Sequence, residues 1–277
     1  EYMRRPLGKN SPWASEPGVK GAPYLGCRRN YHIFMTDGRW NGRAASGRPS
    51  TTTSDDNRNK MTLPDGTIFG SSNANQRPNN TLYHDTYSNT LADWAFHSWA
   101  VPMQNTSQLD GNVEPDSKYR HGLAEENFGK DQKGKTATLT RYWNPRYNPA
   151  TWPHMVTYTI GFSVEATTWP NASHIQKPTE TVPFGFNGSF PDLVTGNKTW
   201  PNMLSNPNWA NNKGANAADE GVRSLDLWHA ALNGRGRFYA VEVAEDLEKA
   251  FRDIFGQINA ATDPDFTSSA TSGSNIT

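Results

Sequence analysis

Tyr31-His32-Ile33-Phe34-Met35-Thr36-Asp37-Gly38 decides how this chain reads. It is a short apolar run closed by Asp-Gly, a turn signal, and so describes a buried strand with an abrupt end. Two later runs share its character. Val156-Thr157-Tyr158-Thr159-Ile160-Gly161-Phe162-Ser163-Val164 alternates large with small side chains, as a strand with one tightly packed face requires. Arg237-Phe238-Tyr239-Ala240-Val241 is the third.

Helical periodicity lies between and after these runs. Beyond Ser88-Asn89-Thr90, residues Leu91, Trp94, Ala95 and Trp99 recur at helical spacing, Thr90 and Asp93 are placed as a capping box, and Pro102 ends the helix. A second helix is expected over about 222–232, with Leu225, Trp228, Ala231 and Leu232 on one side and Gly234 as its stop. A third begins near Glu245-Asp246, acids suited to a helix N-terminus, and buries Leu247, Ala250, Phe251, Ile254 and Ile258. Strands alternating with helices imply an α/β fold, a parallel sheet with helices on its faces. Ile33, Met35, Tyr158, Ile160, Phe162, Leu225, Trp228, Phe238, Phe251 and Ile254 are the expected core. Long, polar, turn-rich insertions fall at about 43–85, 102–150 and 165–220. The first contains a hairpin signal over Thr62–Phe69 around Asp65-Gly66. Residues 260–277 read as a linker.

The 277 residues carry 27 basic and 27 acidic side chains, and this zero balance argues against a general nucleic-acid binder. Arg and Lys are in excess over residues 1–60, and acids over 242–265, a bias that reads as solvated surface. Only 34% of residues are hydrophobic, yet ten are Trp. That combination suits long, ordered polar loops pinned by aromatic side chains rather than disorder. Cys27 is the single cysteine, so any disulfide needs a cysteine outside the chain. No apolar run reaches the roughly 18–20 residues of a membrane span. The chain starts at Glu1, which reads as processing or as a fragment.

Candidate functional residues are few. Asp37 follows the C-terminal end of a predicted strand, where α/β sheets place ligand sites and a carboxylate suits a hard cation; equally, Asp-Gly makes a turn. The seven His residues form no His-x-x-x-His pair and have no Cys at ligand spacing, which speaks against a His-based metal site. His32 reads as a core histidine and His229 as a structural one. Trp143 and the Trp-Pro pairs at Trp152, Trp169 and Trp200 fit either a sugar-stacking surface or apolar anchors for loops. The sequons at Asn105 and Asn197 carry no further signal. No nucleophile elbow, phosphate loop or dinucleotide fingerprint occurs, and no enzyme is expected.

Four blocks carry a family resemblance. They are Cys27–Gly42, with the Thr36-Asp37-Gly38 loop; Tyr87–Asp93 with its aromatic helix; His154–Phe162; and Asp226–Tyr239. In this order they resemble the type IV pilus tip adhesins of the PilC/PilY family. The resemblance implies a von Willebrand A-like, Rossmann-type fold, with residues 1–259 as its second half. The linker at 260–277 would lead to a C-terminal β-propeller outside this chain. It also implies a metal-ion-dependent adhesion site built from an Asp-x-Ser-x-Ser loop, a Thr and the Asp of Thr-Asp-Gly. Only Asp37 matches, and no Asp-x-Ser-x-Ser occurs in the chain. No cofactor is therefore expected from this stretch alone, with a Mg or Ca ion possible in the full-length protein. The implied role is a non-enzymatic, extracellular adhesin and assembly factor at the pilus tip. Minor pilins and a host or abiotic surface are its implied partners. The three strands should form one contiguous half-sheet whose first strand awaits a neighbour from upstream polypeptide. A carbohydrate-binding module using exposed Trp is the alternative.

Overall fold

The computed structural model describes residues 2–36, 49–50, 52–56, 61–70, 82–162, 189–200 and 217–262. Strands β1 (Asn30–Thr36), β6 (Met155–Phe162) and β7 (Arg235–Val241) form a parallel sheet in the order β1-β6-β7. Two small hairpins decorate it. One joins β2 (Met61–Thr62) to β3 (Ile68–Phe69), as the Asp65-Gly66 signal predicts; the other joins β4 (Glu125–Lys130) to β5 (Thr136–Thr140) inside the second insertion. The described helices are α1 (Leu91–Ala100), α2 (Ser117–His121), α3 (Ser189–Thr195), α4 (Ala217–Asn233) and α5 (Ala244–Thr262). None of them is long and apolar enough to cross a membrane.

The period-two alternation of the strands sorts their side chains between two cores. Tyr31, Ile33, Val156, Tyr158, Ile160, Tyr239 and Val241 gather on one face with Leu247, Ala250 and Ile254 of α5. Phe34, Phe238 and Ala240 turn to the other face, where α1 and α4 bring Phe96, Trp99, Leu227, Trp228 and Ala231. Thr159 also faces α4, and its hydroxyl donates to Leu227 O at 2.7 Å, so this polar group is satisfied within the core. Helices thus cover both faces, as the alternation of elements implies.

Of the expected core residues, Ile33, Leu225 and Phe251 are partly buried and two are exposed. Met35 is 53% exposed and Phe162 37% exposed. Met35 sits on the outermost strand, and Phe162 is the last residue of β6, so neither has a described strand or helix over it. His32 is also exposed, since no described element encloses this part of β1, which corrects its reading as a core histidine. No described strand pairs with the far side of β1.

Local chemistry explains the helix ends. Thr90 caps α1 by accepting from Asp93 N, while the Asp93 carboxylate accepts from Thr90 N, a complete capping box. Further along the chain, α4 stops at Gly234, where a Cβ would stand 2.6 Å from Thr157 Cβ. At Gly236 it would stand 2.2 Å from Thr157 O. Only glycine lets the chain turn from α4 into β7 this close to β6.

Candidate functional site

The first insertion returns to the helices through the turn containing Ser54, Asp55 and Asp56. Asp55 is fully buried between α1 and α4. Its Oδ2 accepts from Asn233 Nδ2 at 2.6 Å and lies 3.4 Å from His229 Nε2. Asn233 also donates to Ala92 O at 3.3 Å, which ties α4 to α1 beside the insertion. His229 stacks on Trp200 at 4.1 Å between ring centroids, and its Nδ1 is 3.5 Å from Asp85 Oδ2. Its Nε2 lies 3.0 Å from Tyr83 O; a carbonyl only accepts, so Nε2 carries a proton.

Acids crowd this place. Asp55, Asp85 and His229 offer ligand atoms within 4.8 Å of one another, and so do Asp55, Asp56 and Asp93. A short step away Asp226 accepts from Leu91 N at 2.9 Å and Ala92 N at 3.2 Å, placing a further carboxylate on the α1 N-terminus. Burial, reinforced by Asp85 and Asp93, pushes the Asp55 carboxyl well above the ordinary range. Burial also raises Asp56, and lifts Asp226 to about 7. Two carboxylates about 4 Å apart at a protein surface repel by about 4 kcal/mol, so several ionised together need a positive partner.

The residues singled out from sequence are distributed differently. Asp37 lies outside the described residues, as does Trp169. With no Asp-x-Ser-x-Ser in the chain, the residues present do not make up the adhesion-type metal site. Trp143, Trp152 and Trp200 are buried, which corrects the exposed sugar platform. The indole N–H groups of Trp152 and Trp200 donate to Trp99 O at 2.7 Å and Leu82 O at 2.9 Å. Their rings pack on other aromatics, so they anchor loops. His229, read as structural, instead stands in the acidic cluster. The cluster itself escaped the sequence analysis. Its available signal was a polar stripe, Asp226, His229 and Asn233 at i, i+3 and i+7, on a helix whose last turns are otherwise apolar.

The chain is 35% identical over 263 residues to the type IV pilus biogenesis factor PilY1 of Pseudomonas aeruginosa strains PAK and PAO1. That alignment takes in 94% of this chain. The chain belongs to the PilC/PilY family. The PilY1 of strain UCBPP-PA14 is 34% identical over 233 residues, 84% of the chain. The chain spans only 18%, 18% and 16% of these relatives' lengths. No family model matches the chain, and no solved structure matches it. Membership of the PilC/PilY family thus rests on sequence identity along nearly the whole chain, while the fold rests on the architecture described above.

Proposed function

We propose that this chain is a segment of a pilus biogenesis factor that acts outside the cell, at the tip of a type IV pilus. There it primes assembly with minor pilins and attaches the pilus to a host or abiotic surface. The 35% identity to PilY1, named a type IV pilus biogenesis factor, over 94% of the chain carries this reading. The segment is the second half of a von Willebrand A-like domain, non-enzymatic, leading to a β-propeller further along the polypeptide. The parallel order β1-β6-β7, with helices on both faces, supports that assignment. Asp37 joins upstream loops there in holding a Mg or Ca ion.

The side of β1 away from β6, where no described strand pairs, supports a further part of the proposal. A strand that presents unpaired amides and carbonyls beside apolar side chains is an aggregation hazard unless covered. A groove lined by His32, Phe34, Leu91, Trp94 and Ala95 runs alongside it. Upstream polypeptide of the same protein supplies both the pairing strand and the cover for this groove. The test is removal of the segment from the protein in its own bacterium, followed by counts of surface pili and of attached cells. Loss of pili is expected. Pilus number and attachment both unchanged overturns the proposal; normal pili with lost attachment restricts it to adhesion.

A further inference from the structure

We propose that Asp55, Asp56 and Asp93, together with the carboxamide oxygen of Asn233, bind a calcium ion that fastens the first insertion to α1 and α4. The proposal is independent of the pilus reading. Its basis is how these side chains use their oxygens. In each carboxylate Oδ2 is engaged: Asp55 by Asn233 Nδ2, Asp56 by Ser88 Oγ at 2.6 Å, and Asp93 by Thr90 N at 3.0 Å. In each, Oδ1 is buried and has no hydrogen-bond partner. Carboxylate oxygens of Asp55, Asp56 and Asp93, from two chain segments, lie within 4.8 Å of one another, and each of these side chains has one bare oxygen.

An uncharged side chain gives the second sign. Asn233 is fully buried, and its Oδ1 also lacks a partner. Its Nδ2 on the same amide is 2.6 Å from Asp55 Oδ2, so this carboxamide borders the cluster. Ser54 Oγ, buried next to Asp55, is likewise unpartnered. Buried polar atoms are nearly always bonded, so bare oxygens on Asp55, Asp56 and Asp93, and on the neighbouring Asn233 and Ser54, call for a species that accepts electron pairs. A proton shared between Asp55 and Asp93 satisfies one pair of oxygens; a cation satisfies the set.

The donor chemistry selects the ion. Every bare atom is a hard oxygen, a donor set that suits calcium or magnesium rather than zinc. Calcium takes six to eight oxygens at about 2.3–2.6 Å, which puts oxygens across the ion up to about 4.6–5.2 Å apart and matches the observed spread. Magnesium keeps several waters and one or two carboxylates, a poor fit to three carboxylates from protein. Asp56 is only partly buried and gives the ion a path from solvent.

The experiment is thermal unfolding of the purified chain after chelation, with calcium or magnesium then added, beside a count of bound calcium per chain by atomic spectrometry. One tightly held calcium and a Tm raised by several degrees are expected, with a smaller rise in magnesium. Asp55→Asn and Asp56→Asn should each weaken calcium binding by about tenfold or more, while the exposed Glu248→Gln leaves it unchanged. Asp56→Asn keeps an acceptor for Ser88, so it tests the site even if Asp55→Asn does not fold. Absence of a calcium-dependent shift in the wild-type chain overturns the proposal. So does a shift that survives both Asp variants.

Discussion

Two buried polar networks in this chain solve the same problem in opposite ways. In the first, Trp99 Nε1 donates to Asn148 Oδ1 at 3.0 Å, and Asn148 Nδ2 donates to His154 Nε2 at 2.7 Å. His154 Nδ1 donates in turn to Trp152 O at 2.7 Å, and Trp152 Nε1 donates to Trp99 O at 2.7 Å. Each donor meets an acceptor and the histidine is neutral. In the second network, around Asp55, acceptors outnumber donors and several oxygens face one another. The first is complete within the chain; the second is completed from outside it. Donor and acceptor counts separate a structural network from a binding site where burial alone does not.

The contrast between the networks should break most visibly at Trp152. Trp152→Ala removes the ring packed on Trp99 and orphans Trp99 O, and should cost about 3–5 kcal/mol in urea unfolding. A loss under about 1 kcal/mol would show that the loop before β6 is not anchored there.

Acid should open the same network. Burial pushes the His154 imidazole down to about 4 from its ordinary 6.5, so the folded state holds it neutral. Its stabilising contribution is therefore full above 6.5 and is lost as pH falls toward 4, by roughly 3 kcal/mol. Asp226 works in the other direction. With its carboxyl raised to about 7, its contribution is full at low pH and is lost as pH rises through 7. The two are separated by comparing the wild type with His154→Gln. Their difference in unfolding free energy should shrink by roughly 3 kcal/mol between pH 7 and pH 4, and a constant difference would contradict the assignment.

The smallest effect has the opposite sign. In chelator, Asp56→Asn removes one of the mutually repelling carboxylates at a partly exposed position and should stabilise the chain by up to about 1 kcal/mol. Destabilisation in chelator would mean that the acidic cluster balances itself without an ion.

The three strands and the helices α1, α4 and α5 were legible in sequence because each is a local pattern. The Thr90–Asp93 box, the stop at Gly234 and the period-two runs all lie within a few residues. Where the sequence misled, the missing information was tertiary. Met35 looks like core until β1 proves outermost among the described strands, and Trp143, Trp152 and Trp200 look like platforms until their loops fold over them. The Asp55 cluster was beyond local patterns for the same reason. Asn233 meets Asp55 across 178 residues of sequence, and a Ser-Asp-Asp turn in a polar insertion looks like solvated surface until α4 closes on it.

The order β1-β6-β7 also runs in the direction of time. Each of these strands joins the sheet beside the one made before it, so the sheet lengthens in step with synthesis and β7 need not be wedged between earlier strands. The waiting intervals are unequal. After Thr36 the ribosome makes the 118 residues 37–154 before β6 begins, about 6–24 s at about 5–20 residues per second. Through that interval the side of β1 that β6 will occupy stands bare on the nascent chain. β7 follows β6 after 72 residues, 163–234, a shorter exposure. The lengths of the insertions are therefore also delays, and the first delay is when this chain is most open to a chaperone or to a wrong partner.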